Sequence, residues 1–207
     1  MAYLAKEHVV AYIQEKLENG IAYISIIHTT ISKKPAFQTY IYKYLALIDF
    51  AEIKESGHSV FELDYVALEN GPVPALLYDN KETNLVRQPF KETVVLKRTE
   101  EQQIIFEPVG EPDLSYFSEH EIQLIEATVE HYASKVRNVK QLCEATHQEI
   151  PAWKQAWDVR AGKAIVPINP LDMFQNILEK PVSERNPVEE AAVRRYMNIA
   201  HREREKE

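Results

Sequence analysis

The chain has 207 residues, 45% hydrophobic and 27% charged, which is material for one domain with appendages. Its 24 Lys and Arg against 32 Asp and Glu leave a formal charge of −8, the opposite of the basic field with which a nucleic-acid-coating protein displaces counterions. The single cysteine, Cys143, excludes an internal disulfide framework and a multi-cysteine zinc site, and points to a reducing compartment.

Met1–Val10 carries Lys6, Glu7 and His8 inside its apolar pattern and so lacks a signal-peptide core. The longest apolar run, Ile21–Ile27, is interrupted by Ser25 and falls far short of the roughly 18 residues a bilayer span needs. A cytoplasmic protein without membrane contact is expected. Over Ala5–Glu18, Val9, Val10, Ile13 and Leu17 recur at helical spacing, and Asn19-Gly20 reads as the stop. Ile21–Ile31 fits either a second helix or a buried strand. After Pro35, Ile41, Tyr44, Leu45, Ile48 and Phe50 fit one face of a helix ending near Glu55–Gly57.

The middle of the chain changes character. Val60–Leu68 alternates loosely and meets Asn70-Gly71-Pro72-Val73-Pro74, where two prolines predict a break in pairing and a turn into a short helix through Leu76, Leu77 and Tyr78. Val94–Lys97 and Ile104–Glu107 flank a polar Thr99–Gln102 turn and predict a hairpin. Helical signals then return. Ser118-Glu119-His120-Glu121 is a capping box ahead of the stripe Ile122, Ile125, Val129 and Tyr132. Asn138 suits the cap of one short helix, and Pro151 the start of another that carries Trp153 and Trp157 on one face. A short helix around Met173–Leu178 follows, then a charge-mixed tail helix from Asn186-Pro187 with a narrow edge of Val193, Tyr196, Met197 and Ala200. The fold class is α+β, a mainly helical body with a small antiparallel sheet around Val60–Glu107. Residues 1–169 are expected to form the domain and 170–207 a helical extension.

Catalytic patterns are hard to assemble. Five scattered glycines form no phosphate loop, and Leu124 stands where a zinc-protease helix beginning at His120-Glu121 would place its second histidine. Cys143 and His147 share a helical face and could form a thiol–imidazole pair, and His147 with Glu149 an acid–base pair. Cys143 is more simply a core residue, and His147 a group bonded to its own turn that fixes the approach of the next helix. Asp49, inside an apolar helix, is either catalytic or bonded to neighbouring backbone. No enzyme activity, cofactor or metal is expected.

Two binding readings remain. Residues 139–161 read helix–turn–helix and, with Lys135, Arg137, Lys140, Lys154, Arg160 and Lys163 nearby, could present a basic face to a DNA major groove. Gly71–Pro74 is either a rigid docking loop, which loses little entropy on binding, or a sharp turn from strand to helix.

Several segments, in order, resemble a known family. They are Tyr42-Lys43-Tyr44-Leu45-Ala46-Leu47-Ile48-Asp49-Phe50, then Gly57-His58-Ser59 and Asp64 through Pro74, then Glu111-Pro112-Asp113-Leu114-Ser115-Tyr116-Phe117-Ser118, and finally Ala145-Thr146-His147 with Pro151-Ala152-Trp153 and Ala156. This order is similar to the Panacea domain, the SocA-like antitoxin family of bacteria and phages, over about Ala5 to Asn169. The resemblance implies a non-enzymatic antitoxin that neutralises a toxin from a neighbouring gene by direct contact; one type in the family also serves as a protease adaptor. It implies scaffold roles for Asp49, Tyr65, His147 and Trp153, and makes Gly71, Pro72, Val73, Pro74 and Tyr78 the candidate toxin contacts. DNA binding by 139–161 is the alternative. The chain departs from the family's pattern at Gln38-Thr39-Tyr40-Ile41-Tyr42-Lys43, and Ile21–Lys34 and Lys180–Glu207 match nothing in it.

Overall fold

Two long helices organise the chain: α1 (Ala2–Ser32) and α2 (Gln38–Ser56). The structure, a computed structural model, describes residues 2–79 and 93–204; the side chains of Val9 and Val10 lie outside its described part. Helix α1 does not stop at Asn19-Gly20. A Cβ at position 20 would run into the Phe61 ring, so the glycine admits that ring against the helix. Asn19 turns its side chain to tertiary use, donating from Nδ2 to the Glu15 carbonyl (2.9 Å) and accepting at Oδ1 from the Asp113 N–H (2.7 Å). The open reading of Ile21–Ile31 resolves to helix.

Helix α2 ends where expected, with Gly57 in the left-handed conformation (φ 81°) and its N–H bonded to the Ile53 carbonyl. Burial is not confined to one face: every residue from Ile41 to Phe50 is buried. Helix α1, the hairpins, α5 and α8 enclose it, and this enclosure overrides the amphipathic expectation.

The strands form two small antiparallel sheets. One has the order β2-β1-β5, built from β1 (Tyr65–Leu68), β2 (Gly71–Pro74) and β5 (Val166–Pro167); the other pairs β3 (Val94–Arg98) with β4 (Ile104–Pro108). The expected break at the prolines is corrected: Gly71–Pro74 is itself a strand, registered Tyr65 to Pro74 and Leu68 to Gly71, and the short helix α3 (Ala75–Asp79) follows it. Prolines are tolerated because β2 is an edge strand and positions 72 and 74 share one side of the ladder, so neither missing N–H is needed by β1. The β3–β4 hairpin falls where its sequence places it; Glu18 of α1 accepts from the N–H groups of Thr93 (2.9 Å) and Val94 (3.3 Å), and the Phe106 N–H reaches the Ala36 carbonyl (3.1 Å).

Helix α4 (Glu119–Lys135) starts on the predicted Ser118/Glu121 capping box, and Asn138 caps α5 (Val139–Glu149). Helix α6 (Pro151–Asp158) begins after the single residue Ile150. A 3₁₀ segment, Pro170–Phe174, leads into α7 (Gln175–Leu178), and α8 (Pro187–Arg204) closes the described chain. Helix α8 packs on α2, with Ala192 and Val193 buried and the Ala192 carbonyl occupying the space a Cβ of Gly57 would need. The result is mixed α+β and mainly helical. No helix of the described residues is long and apolar enough to cross a membrane.

Candidate functional site

The family-like segments converge around the first half of α2. Gly71 starts β2 at φ 100°, where a side chain is strained, and a Cβ there would lie 2.5 Å from Thr146 Oγ1, 3.2 Å from Lys43 Nζ and 3.3 Å from His147 Nε2. The outward carbonyl of Pro72, unpaired by any strand at this edge, accepts from Lys43 Nζ at 2.8 Å. Lys43 is 1% exposed, and burial lowers its pKa to about 8. On the neighbouring side the Trp153 Nε1–H donates to the Leu68 carbonyl (3.0 Å), and the His147 ring stacks on Trp153 at 3.8 Å and 2°. His147 does not bond its own turn as expected. The flat indole of α6 holds its ring instead, and its Nε2 is buried without a partner. It fixes the approach of α6 all the same, by stacking rather than by a hydrogen bond.

Asp49, six residues beyond Lys43 on α2, ties down the chain that leads into β1. Its Oδ1 accepts from the N–H groups of Val60 and Phe61 (2.8 Å each) and its Oδ2 from the Tyr65 hydroxyl (2.8 Å). Complete burial pushes its carboxyl up to about 7 against those three bonds, and raises the Tyr65 phenol well above its ordinary value.

Gly71, Pro72, Val73 and Pro74 are all buried, so the exposed docking loop expected there is corrected to an internal edge strand. Only Tyr78 of that candidate set is part-exposed; beside it Leu76 is 42% exposed. Two clefts open on this side of α2, the first of them lined by Tyr78. One, about 700 Å³, lies over Lys43 and is walled by Tyr42, Tyr78, Trp157 and Lys163. The other, about 580 Å³, runs between Tyr40, Arg98 and Arg137, and both clefts share Gln38 and Thr39 at the start of α2. Sequence reasoning passed over Lys43 as a charge and Gln38–Thr39 as a surface. A lysine inside an unbroken apolar stretch was the available signal, since such an ammonium must find an acceptor.

The groups that could carry chemistry are engaged elsewhere. Cys143 is buried, and burial raises its thiol pKa, the wrong direction for a nucleophile. Glu121 closes the capping box and pairs with Lys16 (2.7 Å), while His120 Nε2 meets Glu52 Oε2 at 2.8 Å. Glu52, Glu55 and His120 bring potential ligand atoms within 4.8 Å of one another, the one such grouping among the described residues; Glu52 already has its imidazole partner there. Helices α5 and α6 do form a helix–turn–helix pair, but the buried side of α6 (Ala152, Trp153, Ala156) is spent against β1 and the 3₁₀ segment.

No curated protein and no solved structure matches the chain. The family described as antitoxin SocA-like, Panacea domain, matches residues 41–154. That stretch runs from the first buried turn of α2 to the fourth residue of α6, the helix that contacts β1, and includes the Lys43–Pro72, Asp49–Tyr65 and His147–Trp153 contacts. It is more than half of the sequence, and the chain belongs to the SocA-like antitoxin, Panacea-domain family.

Proposed function

We propose that this chain is the antitoxin of a toxin–antitoxin pair and that it neutralises a cognate protein toxin by direct binding, breaking no bond of its own. The family match over residues 41–154 carries the reading. The internal employment of Asp49, Cys143 and His147 supports it, because residues engaged in packing and backbone hydrogen bonds are poorly placed for turnover. The part-exposed Tyr78, the cleft it lines and the second cleft that meets it at Gln38–Thr39 form the docking face, the buried Gly71–Pro74 strand serving as its foundation.

The test is co-expression with the product of the adjacent gene. Restored growth and a stable complex on size-exclusion chromatography are expected. Arrest that persists with each neighbouring product, or turnover of a small compound by the purified chain alone, defeats the reading.

A further inference from the structure

The charge of the two clefts runs against the charge of the molecule. The chain carries −8, yet the described walls of the two clefts, which adjoin at Gln38–Thr39 to make a trough, present Lys34, Arg98 and Arg137 on one side of those residues, and Lys43, Arg160 and Lys163 on the other. Glu69 is the one acid among those walls. Some cations elsewhere are paired, as in Lys16–Glu121, Lys97–Glu107 and Arg194–Glu190. Among the described residues Lys34, Lys43, Arg137, Arg160 and Lys163 have no carboxylate within ion-pair distance.

Lys43 is the most telling of them. An ammonium has three donors, and this one, 1% exposed, has one acceptor, the Pro72 carbonyl. A buried charge without a counter-ion is costly, and the missing negative group is one a ligand can bring. Helix α2 also begins at the junction of the clefts, with no side-chain cap from Phe37, so the positive end of its dipole adds to the field. Arg160 lies 3.8 Å over the Trp157 ring, a flat cationic shelf matched to a planar carboxylate.

We propose that this trough is the seat of an acidic segment of the partner protein, an extended stretch whose Asp or Glu side chains neutralise the cations from Arg137 to Lys163, with Lys43 beneath them. The proposal rests on the antitoxin reading and gives the partner its chemistry. Each cleft alone has the volume of a small-molecule pocket, roughly 300–1,000 Å³, and two in series suit a chain rather than a single ion. A nucleic-acid duplex fits less well. Beyond the trough the surface is strongly acidic overall, and a long polyanion meets that repulsion while a short segment inside a screening length does not.

The experiment pairs two double variants of equal charge change. Arg137→Glu with Lys163→Glu reverses one cation in each cleft; Lys180→Glu with Arg202→Glu reverses two exposed cations outside them. With the toxin that the wild type neutralises, titration calorimetry is expected to show at least a tenfold loss of affinity for the trough variant, little change for the control, unchanged melting for both, and a wild-type affinity that weakens with salt. Equal affinity of the two variants overturns the proposal while leaving the antitoxin reading intact. If no neighbouring product is neutralised, that reading fails, and a glutamate-rich synthetic peptide decides the trough by itself. Wild-type tryptophan fluorescence is then expected to change on peptide addition, through the Arg160-covered Trp157, and the trough variant to respond at least tenfold more weakly. No response, or tighter binding of duplex DNA than of the peptide, overturns it.

Discussion

Asp49 shows how much a single side chain of this fold holds. Three donors from two elements converge on one carboxyl, so Asp49→Ala leaves buried amides at Val60 and Phe61 and a phenol at Tyr65 without an acceptor. At roughly 1–3 kcal/mol for each unmet buried group, a loss on the order of 3 kcal/mol or more in denaturant unfolding is expected. Asp49→Asn keeps an acceptor for the amides and should lose less. The pH dependence has a definite sign. The carboxyl sits at about 7 when folded against 3.8 when free, so its contribution is fully present below the lower value and is lost as pH rises through the higher. Wild-type stability relative to Asp49→Asn should therefore fall between about pH 4 and about pH 7; a flat difference across that window would remove the buried-acid account.

Gly71 acts through space rather than bonds. Alanine there meets Thr146 Oγ1 at 2.5 Å and a backbone at φ 100°, and should destabilise by about 2 kcal/mol or more, read from the denaturation midpoint. The sequence marks Asp49 and Gly71 as special, since a carboxylate in an apolar helix and a glycine before two prolines both require explanation. Their partners lie 11 or more residues away for Asp49 and across α2 and α5 for Gly71, and no local pattern encodes those meetings.

At the scale of elements, local signals succeed where the backbone settles the matter alone. The Ser118/Glu121 box, the Asn138 cap, Pro151 and the Gly57 stop each lie at the predicted helix end. They fail where a distant residue reuses the same signal. Asn19-Gly20 looks like a terminus, but the ring of Phe61 needs the glycine and the Asp113 amide needs the asparagine, so the helix continues. Gly20→Ala tests this directly. In a solvated helix the change stabilises by about 1 kcal/mol. Here the added methyl strikes Phe61, and a net loss in melting temperature is expected; a gain would show that the aromatic contact is slack. The prolines of β2 teach a related lesson. Pairing rules forbid them in a central strand, but whether a strand is central is decided by which others lie beside it, and β5 joins from nearly a hundred residues downstream.

Across the whole molecule, apolar residues from Leu17 to Val193 join one core. The tail helix is part of that arrangement: Val193 is 4% exposed where α8 crosses α2, and Met173, Phe174 and Ile177 are buried beside it. Val193→Asp places a carboxylate in that contact and should cost on the order of 2 kcal/mol or more, with a lowered melting temperature; unchanged melting would mean that α8 adds nothing to the body. The helix-rich α+β class was legible from periodicity and punctuation, whereas the enclosure of α2 was not. An amphipathic pattern records how apolar one face is, and only assembly reveals that the other faces have neighbours as well.

That enclosure has a consequence for where the surface of the molecule can vary. Ten successive side chains of α2 are buried, and apart from those that floor a cleft, such as Lys43, the outer surface is contributed by turns, short helices and the lips of clefts. Those margins can be rewritten one position at a time while the rod beneath keeps its shape, so a change of surface there does not require a change of fold.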